Sequence, residues 1–238
     1  MTDDQTEIAI VTGASSGIGK ASALALGRAG YRVFGTSRSA TPTPVEGVTM
    51  LTCDVTEDAS VADLVETVLA RAGRIDLLVN NAGIGVIGGA EESSLAQSKA
   101  LFEVNFFGVL RMTNAVLPVM RRQGKGRIIN IGSLLGLIPA PYNAVYSASK
   151  HAIEGYTESL DHELRGFGIR ASVVEPAYTN TAFEANKTSP DQPHAIYDQV
   201  RALTERIMHE AARKGDGPEI VAKTVLEAAT AATPKRRY

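Results

Sequence analysis

The sequence predicts a doubly wound α/β fold, a parallel sheet of six to seven strands with helices on both faces. Three observations predict it. Short runs rich in Val, Ile and Leu alternate with helical patterns along most of the 238 residues. Strands that are apolar on both faces belong to a sheet covered on both sides, and right-handed crossovers wind such a sheet in two directions. No repeat and no low-complexity linker divides the chain, so residues 1–238 read as a single domain.

The strands are expected at Ile8–Thr12, Tyr31–Ser37, Thr49–Cys53, Leu77–Asn80, Arg127–Ile131 and Ile169–Val174. A first helix runs from about Gly17 to Ala29. Val61, Leu64, Val65, Val68 and Leu69 then follow the i, i+3, i+4, i+7, i+8 spacing of a helix with one apolar face. Further helices cover Ser98 to Gln123, Val145 to Gly166 and Pro218 to Ala231, and the Thr41–Pro44 stretch reads as a loop. Residues 178–215, polar and irregular around a helix near His194–Ala212, read as a lid over the sheet's C-terminal edge. There Tyr178, Phe183, Ile196, Tyr197 and Val200 either line a partly apolar pocket or pack the lid onto the body.

Composition narrows the chemistry. With 44% hydrophobic and 21% charged residues the chain is neither disordered nor collagen-like. A net charge of −2 gives no footing for nucleic acid or an anionic membrane. The single cysteine, Cys53, excludes an intrachain disulfide and a cysteine-rich zinc site, and His151, His162, His194 and His209 lack metal-ligand spacing. The amino terminus, MTDDQTE, lacks the order of a secretory signal, and no apolar run approaches the ~18 residues needed to cross a bilayer. A cytoplasmic protein acting on a small molecule, with no nucleic acid, membrane or metal, is the expectation.

Glycine is the skewed component, 22 of 238 residues, and its placement carries the chemistry. Directly after the first strand comes Thr12-Gly13-Ala14-Ser15-Ser16-Gly17-Ile18-Gly19-Lys20, then a helix. A strand-to-helix turn needs glycine where it bends tightly, where backbone approaches a pyrophosphate, and where helix packs on strand. The unpaired N–H groups of the helix's first turn then face the phosphates. At the end of the second strand, Thr36-Ser37-Arg38 offers hydroxyls and a guanidinium but no carboxylate. A carboxylate there would bind the adenosine ribose hydroxyls, whereas a guanidinium pairs with a 2′-phosphate, so NADP(H) is favoured over NAD(H).

Farther along, Tyr146 and Lys150 stand at i and i+4, on one helical face. An ammonium about 4 Å from a phenol, at an effective dielectric near 20, favours phenolate by about 4 kcal/mol, or roughly three pKa units. Ser133 follows the fifth strand, where ligands sit in open parallel sheets.

The Thr-Gly-x-x-x-Gly-x-Gly turn, with Ser133, Tyr146 and Lys150, resembles the short-chain dehydrogenase/reductase family in its compact single-domain branch. The resemblance runs from about Ile8 to the C-terminus and implies a Rossmann-type oxidoreductase. By that likeness Gly13, Ser15, Ser16, Gly17, Ile18 and Gly19 cradle the cofactor phosphates. Ser37 and Arg38 hold its adenosine end, and Asp54 with Val55 touches adenine. Asn81, Ala82 and Gly83 flank the ribose, while Pro176, Thr179 and Thr181 border the nicotinamide. Ala177 departs by one methyl from the family's usual Pro-Gly. Tyr146 becomes the acid/base, Ser133 the group that hydrogen-bonds the substrate oxygen, and Lys150 the cation that lowers the tyrosine pKa and binds ribose. Asn105, in Val104-Asn105-Phe106-Phe107-Gly108, becomes a fourth catalytic residue that holds a water in a proton relay.

The resemblance also implies a homodimer or homotetramer. The sequence ends at Pro234-Lys235-Arg236-Arg237-Tyr238, where relatives begin a last strand, so the expectation is that either this strand is missing or the sequence is truncated. The main rival is a non-catalytic NADP(H)-binding sensor or scaffold, whose signature would be loss of Tyr146 or Lys150. Lyases, epimerases and isomerases of this fold carry a longer substrate domain.

Overall fold

The computed structural model describes residues 6–39 and 43–238. The acidic amino-terminal run and the first part of the Thr41–Pro44 loop therefore lie largely outside the described residues. Six parallel strands, β1 (Ile8–Val11), β2 (Arg32–Ser37), β3 (Val48–Thr52), β4 (Leu77–Asn80), β5 (Gly126–Ile131) and β6 (Ile169–Val174), form one sheet in the order β3-β2-β1-β4-β5-β6. The chain starts at the centre and winds outward in both directions, which opens a crevice where the loops after β1 and β4 diverge.

Strand alternation builds two cores. On β1, Ile8 and Ile10 face one side with Phe34 and Ile128, while Ala9 and Val11 face the other with Val33 and Leu77. The first core is covered by α2 (Asp58–Ala72), α4 (Gly108–Gln123) and the end of α5 (Ala144–Leu164), through Val61, Leu64, Met112, Val116 and Leu160. The second is covered by α1 (Gly17–Arg28) and α7 (Pro218–Thr230), through Ala23, Leu26, Val221 and Val225. Buried on both faces, β1 has no exposed position at all, which is why it reads as a continuous apolar run.

Three expectations need correction. The helix expected over Ser98–Gln123 is two helices, α3 (Leu95–Phe102) and α4, joined by a π-helical turn at Glu103–Phe107. Taken together, Leu95–Gln123 is long and apolar enough to cross a membrane by length and composition. The apolar count missed it because polar residues break the run; its Leu101, Met112, Val116 and Met120 are buried in the protein core instead. Second, of the five expected lid contacts only Tyr178 and Phe183 line the cavity. Ile196 stands exposed just before α6 (Asp198–Lys214) and Val200 exposed in its first turn, and the Tyr197 hydroxyl donates to Glu91. Third, a stub of the seventh strand is present. Arg236 accepts from the Val173 N–H at 2.8 Å, and Tyr238 donates to Val173 at 3.0 Å and accepts from the Glu175 N–H at 3.0 Å, alongside the edge strand β6.

Candidate active site

The crevice beyond β1 and β4 is built by side chains that tie the two loops together. The Thr12 hydroxyl accepts from the backbone N–H of Asn81 at 2.9 Å and of Ala82 at 3.0 Å. In return the Asn81 amide donates to the carbonyls of Thr12 at 2.9 Å and Gly13 at 3.1 Å. Gly13 sits at φ +65°, a left-handed conformation that glycine adopts without strain. At Gly19 a Cβ would lie 2.2 Å from the Gly13 oxygen and 2.4 Å from the Asn81 amide nitrogen, so the helix can pack here only without a side chain. The Ser16 side chain makes no capping bond to α1, whose first turn opens on the cavity at Gly17 and Ile18.

These loops, the ends of β2 and β5, and the lid enclose a cavity of about 590 Å³. It is lined by Gly13, Ser15, Ser16, Gly17 and Ile18 from the turn, and by Asn81, Ala82 and Gly83 after β4. Ser37, Arg38, Asp54 and Val55 border its other end, with Pro176, Thr179 and Thr181 opposite. The Ser37 hydroxyl is buried with no hydrogen-bond partner among the described residues. Hydrogen bonds from Thr56 hold the Asp54 carboxyl below the usual carboxylate range, with the Arg38 charge adding to the effect. A glycine turn bordering the cavity, an open helix N-terminus and an orphaned buried hydroxyl together fit a dinucleotide whose phosphates would be held at the start of α1. Gly19 stands behind the cavity wall, where it permits the turn. Among the described residues Tyr142 is the only non-glycine with positive φ, so Ala177 sits in ordinary backbone and its extra methyl distorts nothing.

Strand β5 delivers the reacting groups. Ser133 lies two residues beyond its end and caps the 3₁₀ turn Leu134–Gly136, its hydroxyl accepting from the Leu135 N–H at 3.1 Å. Across the cavity, α5 presents Tyr146 and Lys150, and all three side chains line the same space. The Lys150 ammonium donates to the Ile131 carbonyl at 2.7 Å. Burial lowers its pKa to about 8, against the pull of the Glu154 carboxylate. Burial also raises the Tyr146 phenol above its ordinary value, while the hydrogen bond with Ser133 acts in the opposite direction. The drop expected from the neighbouring ammonium is thus not found. Desolvation of the phenolate dominates, and the ammonium, 5.8 Å from the ring centroid, is engaged by a backbone carbonyl.

Asn105 is buried outside the cavity lining. Its side chain accepts from the Ile84 N–H at 2.8 Å and donates to the Ile84 carbonyl at 2.9 Å and to Ser149 at 3.2 Å. The side chain therefore fixes the loop after β4 against α5. It stands in the π turn, a distortion that leaves the regular i→i−4 ladder broken beside a functional site.

Two residues of this site escaped the sequence reading. Lys187 and Glu184, from the lid, form an ion pair at 2.7 Å, with the Lys187 ammonium 5.5 Å from the centroid of the Tyr146 ring. Their only trace in the sequence is an i, i+3 charge pair in a polar segment, which ordinarily marks a solvated surface.

Comparison with known proteins agrees with this geometry. Residues 7–192 match the family model described as short chain dehydrogenase. A 3-ketodihydrosphingosine reductase of Bacteroides thetaiotaomicron is 44% identical over 183 residues, covering 77% of this chain and 68% of that protein. Retinol dehydrogenase 8 of Bos taurus is 34% identical, covering 98% and 81%. A short-chain dehydrogenase structure from Streptomyces avermitilis superposes with a TM-score of 0.88 at 32% identity, covering 100% of this chain and 88% of that one. Two further solved relatives were determined with different cofactors. One from Burkholderia phymatum holds NAD (28% identity, TM-score 0.84, coverage 100% and 90%), and a metagenomic oxidoreductase holds NADP (30%, 0.75, coverage 98% and 95%).

Proposed function

The chain belongs to the short-chain dehydrogenase family of oxidoreductases, and from that premise we propose that it interconverts a carbonyl and a secondary alcohol on a small or medium-sized, partly apolar substrate, with NADP(H) preferred over NAD(H). The observation that carries this reading is the convergence of Ser133, Tyr146 and Lys150 on the cavity that also opens onto the glycine turn. When bound there, the nicotinamide supplies a hydride to the carbonyl carbon or accepts one from the alcohol.

The protein's own groups handle the oxygen. Ser133 donates a hydrogen bond to it and draws charge from the carbonyl. Tyr146, whose burial keeps the phenol protonated at neutral pH, delivers its proton as the alkoxide develops and takes one back in the oxidative direction. The Lys150 charge offsets part of the cost of the phenolate that results. Leu134, Leu135, Phe183 and Met208 give the substrate end of the cavity its apolar wall, in keeping with relatives named for retinol and 3-ketodihydrosphingosine.

NADP(H) preference rests on Arg38 and the unpartnered Ser37 hydroxyl at the end of β2, where no carboxylate stands to repel a 2′-phosphate. A homodimer is part of the reading, and Phe107, 44% exposed at the start of α4, offers it an apolar contact that light scattering would test.

The experiment is a panel of ketones, aldehydes and secondary alcohols assayed with both cofactors by nicotinamide absorbance. Net consumption of NADPH with at least one carbonyl supports the reading. Cofactor binding without turnover of any substrate would make the chain a sensor or scaffold.

A further inference from the structure

The lid places a charged pair where the cavity wall is otherwise largely apolar. Lys187 and Glu184 side chains are only 3% and 14% exposed. The Lys187 ammonium lies over two aromatic faces, 5.5 Å from the Tyr146 centroid and 5.6 Å from that of Phe183. Burial pulls its pKa down, with Glu184 acting against that shift.

Its position is held by backbone. Thr188 donates to the Gly85 carbonyl at 3.0 Å and accepts from the Ile87 N–H at 3.2 Å, stitching the lid to the loop after β4. Gly85 makes room for the lysine stem, since a Cβ there would come within 2.8 Å of Lys187 Cγ. A desolvated ion pair is a poor source of stability, because well-packed apolar residues of similar volume usually do as well or better. This one is set by two segments at the edge of the reacting centre. Glu184 is the only hydrogen-bond partner of the Lys187 ammonium among the described residues, so donor capacity is left for a ligand.

Deepening the function proposed above, and resting on it, we infer that Lys187, steadied by Glu184, is a specificity-determining residue. It binds an oxygen on the carbon next to the reacting carbonyl of an amphiphilic ketone. The apolar remainder of that substrate would leave past Leu134 and Ile138, which line the mouth of the cavity, Ile138 being 64% exposed. A hydrogen bond to a charged group is worth about 1.5–3 kcal/mol, or roughly ten- to a hundredfold in kcat/KM.

The test compares a medium-chain 2-alkanone with its 1-hydroxy counterpart. The full-length enzyme is expected to favour the hydroxy ketone by about tenfold or more in kcat/KM. In Lys187→Met that ratio should fall toward one. Lys187→Gln, which keeps a neutral N–H donor, should fall between, and thermal unfolding checks that both variants are folded. Equal kcat/KM for the two ketones in the wild type, or an undiminished ratio in folded Lys187→Met, overturns the inference and leaves the oxidoreductase reading standing. No turnover of either ketone or of any panel substrate, with either cofactor, removes both.

Discussion

The Lys150 ammonium donates to the carbonyl oxygen of Ile131 at 2.7 Å, locking α5 to the end of β5 two residues before Ser133. The bond therefore sets the spacing between the helix that carries Tyr146 and the loop after β5 that carries Ser133. Lys150→Met removes the bond, the charge beside the phenol and the donor proposed for the ribose hydroxyls together. Its kcat should drop by about a hundredfold or more, with weaker NADPH binding by fluorescence titration. A variant with wild-type kcat would show that the charge plays no part in the reaction.

Gly19 and Gly155 are both helical, yet their alanine variants should move stability in opposite directions. A Cβ at Gly19 collides with the Gly13 carbonyl and the Asn81 amide, whereas at Gly155 it meets nothing within 4 Å. Gly155→Ala should stabilise by about 0.5–1 kcal/mol through the higher helix propensity of alanine. Gly19→Ala should cost roughly 1–3 kcal/mol and weaken NADPH binding, because the phosphate turn must shift. Denaturant midpoints for the two variants give the comparison.

Cofactor choice should follow Arg38. Loss of a guanidinium–phosphate contact costs about 1.5–3 kcal/mol, so Arg38→Leu should raise KM for NADPH roughly ten- to a hundredfold and leave NADH little changed. Ser37→Asp should shift the preference further toward NADH by placing a carboxylate where the ribose hydroxyls are proposed to bind. Equal effects on both cofactors would place Arg38 outside the 2′-phosphate site.

Stability should fall between mildly acid and mildly alkaline pH because of Glu154. Burial, with the neighbouring Glu175, raises its carboxyl from about 4.5 to about 7, while Arg237 acts in the opposite direction. Glu154 Oε1 and Glu175 Oε1 are both buried without a hydrogen bond, which one shared proton would supply. Arg237 donates to the other Glu154 oxygen at 3.3 Å and lies 3.5 Å from Glu175, and Lys150 and Glu158 complete the surroundings. In this window the folded state binds more protons than the unfolded one, so stability present below pH ~4.5 is lost as pH rises through about 7. Urea unfolding at pH 5.5 and 8 should show that loss, on the order of 1–3 kcal/mol, diminished in Glu154→Gln. Parallel pH profiles for the two proteins would contradict it.

What could be read from the sequence, and what could not, follows from the range of the interactions. The strands were legible because each is a short run with apolar or β-branched residues, buried throughout in the central β1 and β4 and only partly so in the edge strand β3, and the turn from Thr12 to Gly19 because a phosphate cradle demands glycine at fixed spacing. The i, i+4 relation of Tyr146 and Lys150 is equally local. The break in the helix at Glu103–Phe107 carries no breaker residue, and it follows from Asn105 reaching Ile84 and Ser149 across the fold. Lys187 was illegible for a related reason: only the pairing of Thr188 with Gly85 turns a polar lid residue inward. The direction of the Tyr146 shift was misjudged because desolvation depends on what the lid covers, and spacing says nothing of that.

The central claim, that Tyr146 serves hydride transfer to a carbonyl, is tested most directly with NADPH deuterated at the transferable C4 position and a ketone that the panel identifies as a substrate. Mass spectrometry of the wild-type product should find an alcohol bearing one deuterium on the former carbonyl carbon. Tyr146→Phe should still bind NADPH but form that product about a hundred- to ten-thousandfold more slowly. Alcohol without deuterium, or unchanged turnover in Tyr146→Phe, would contradict the account.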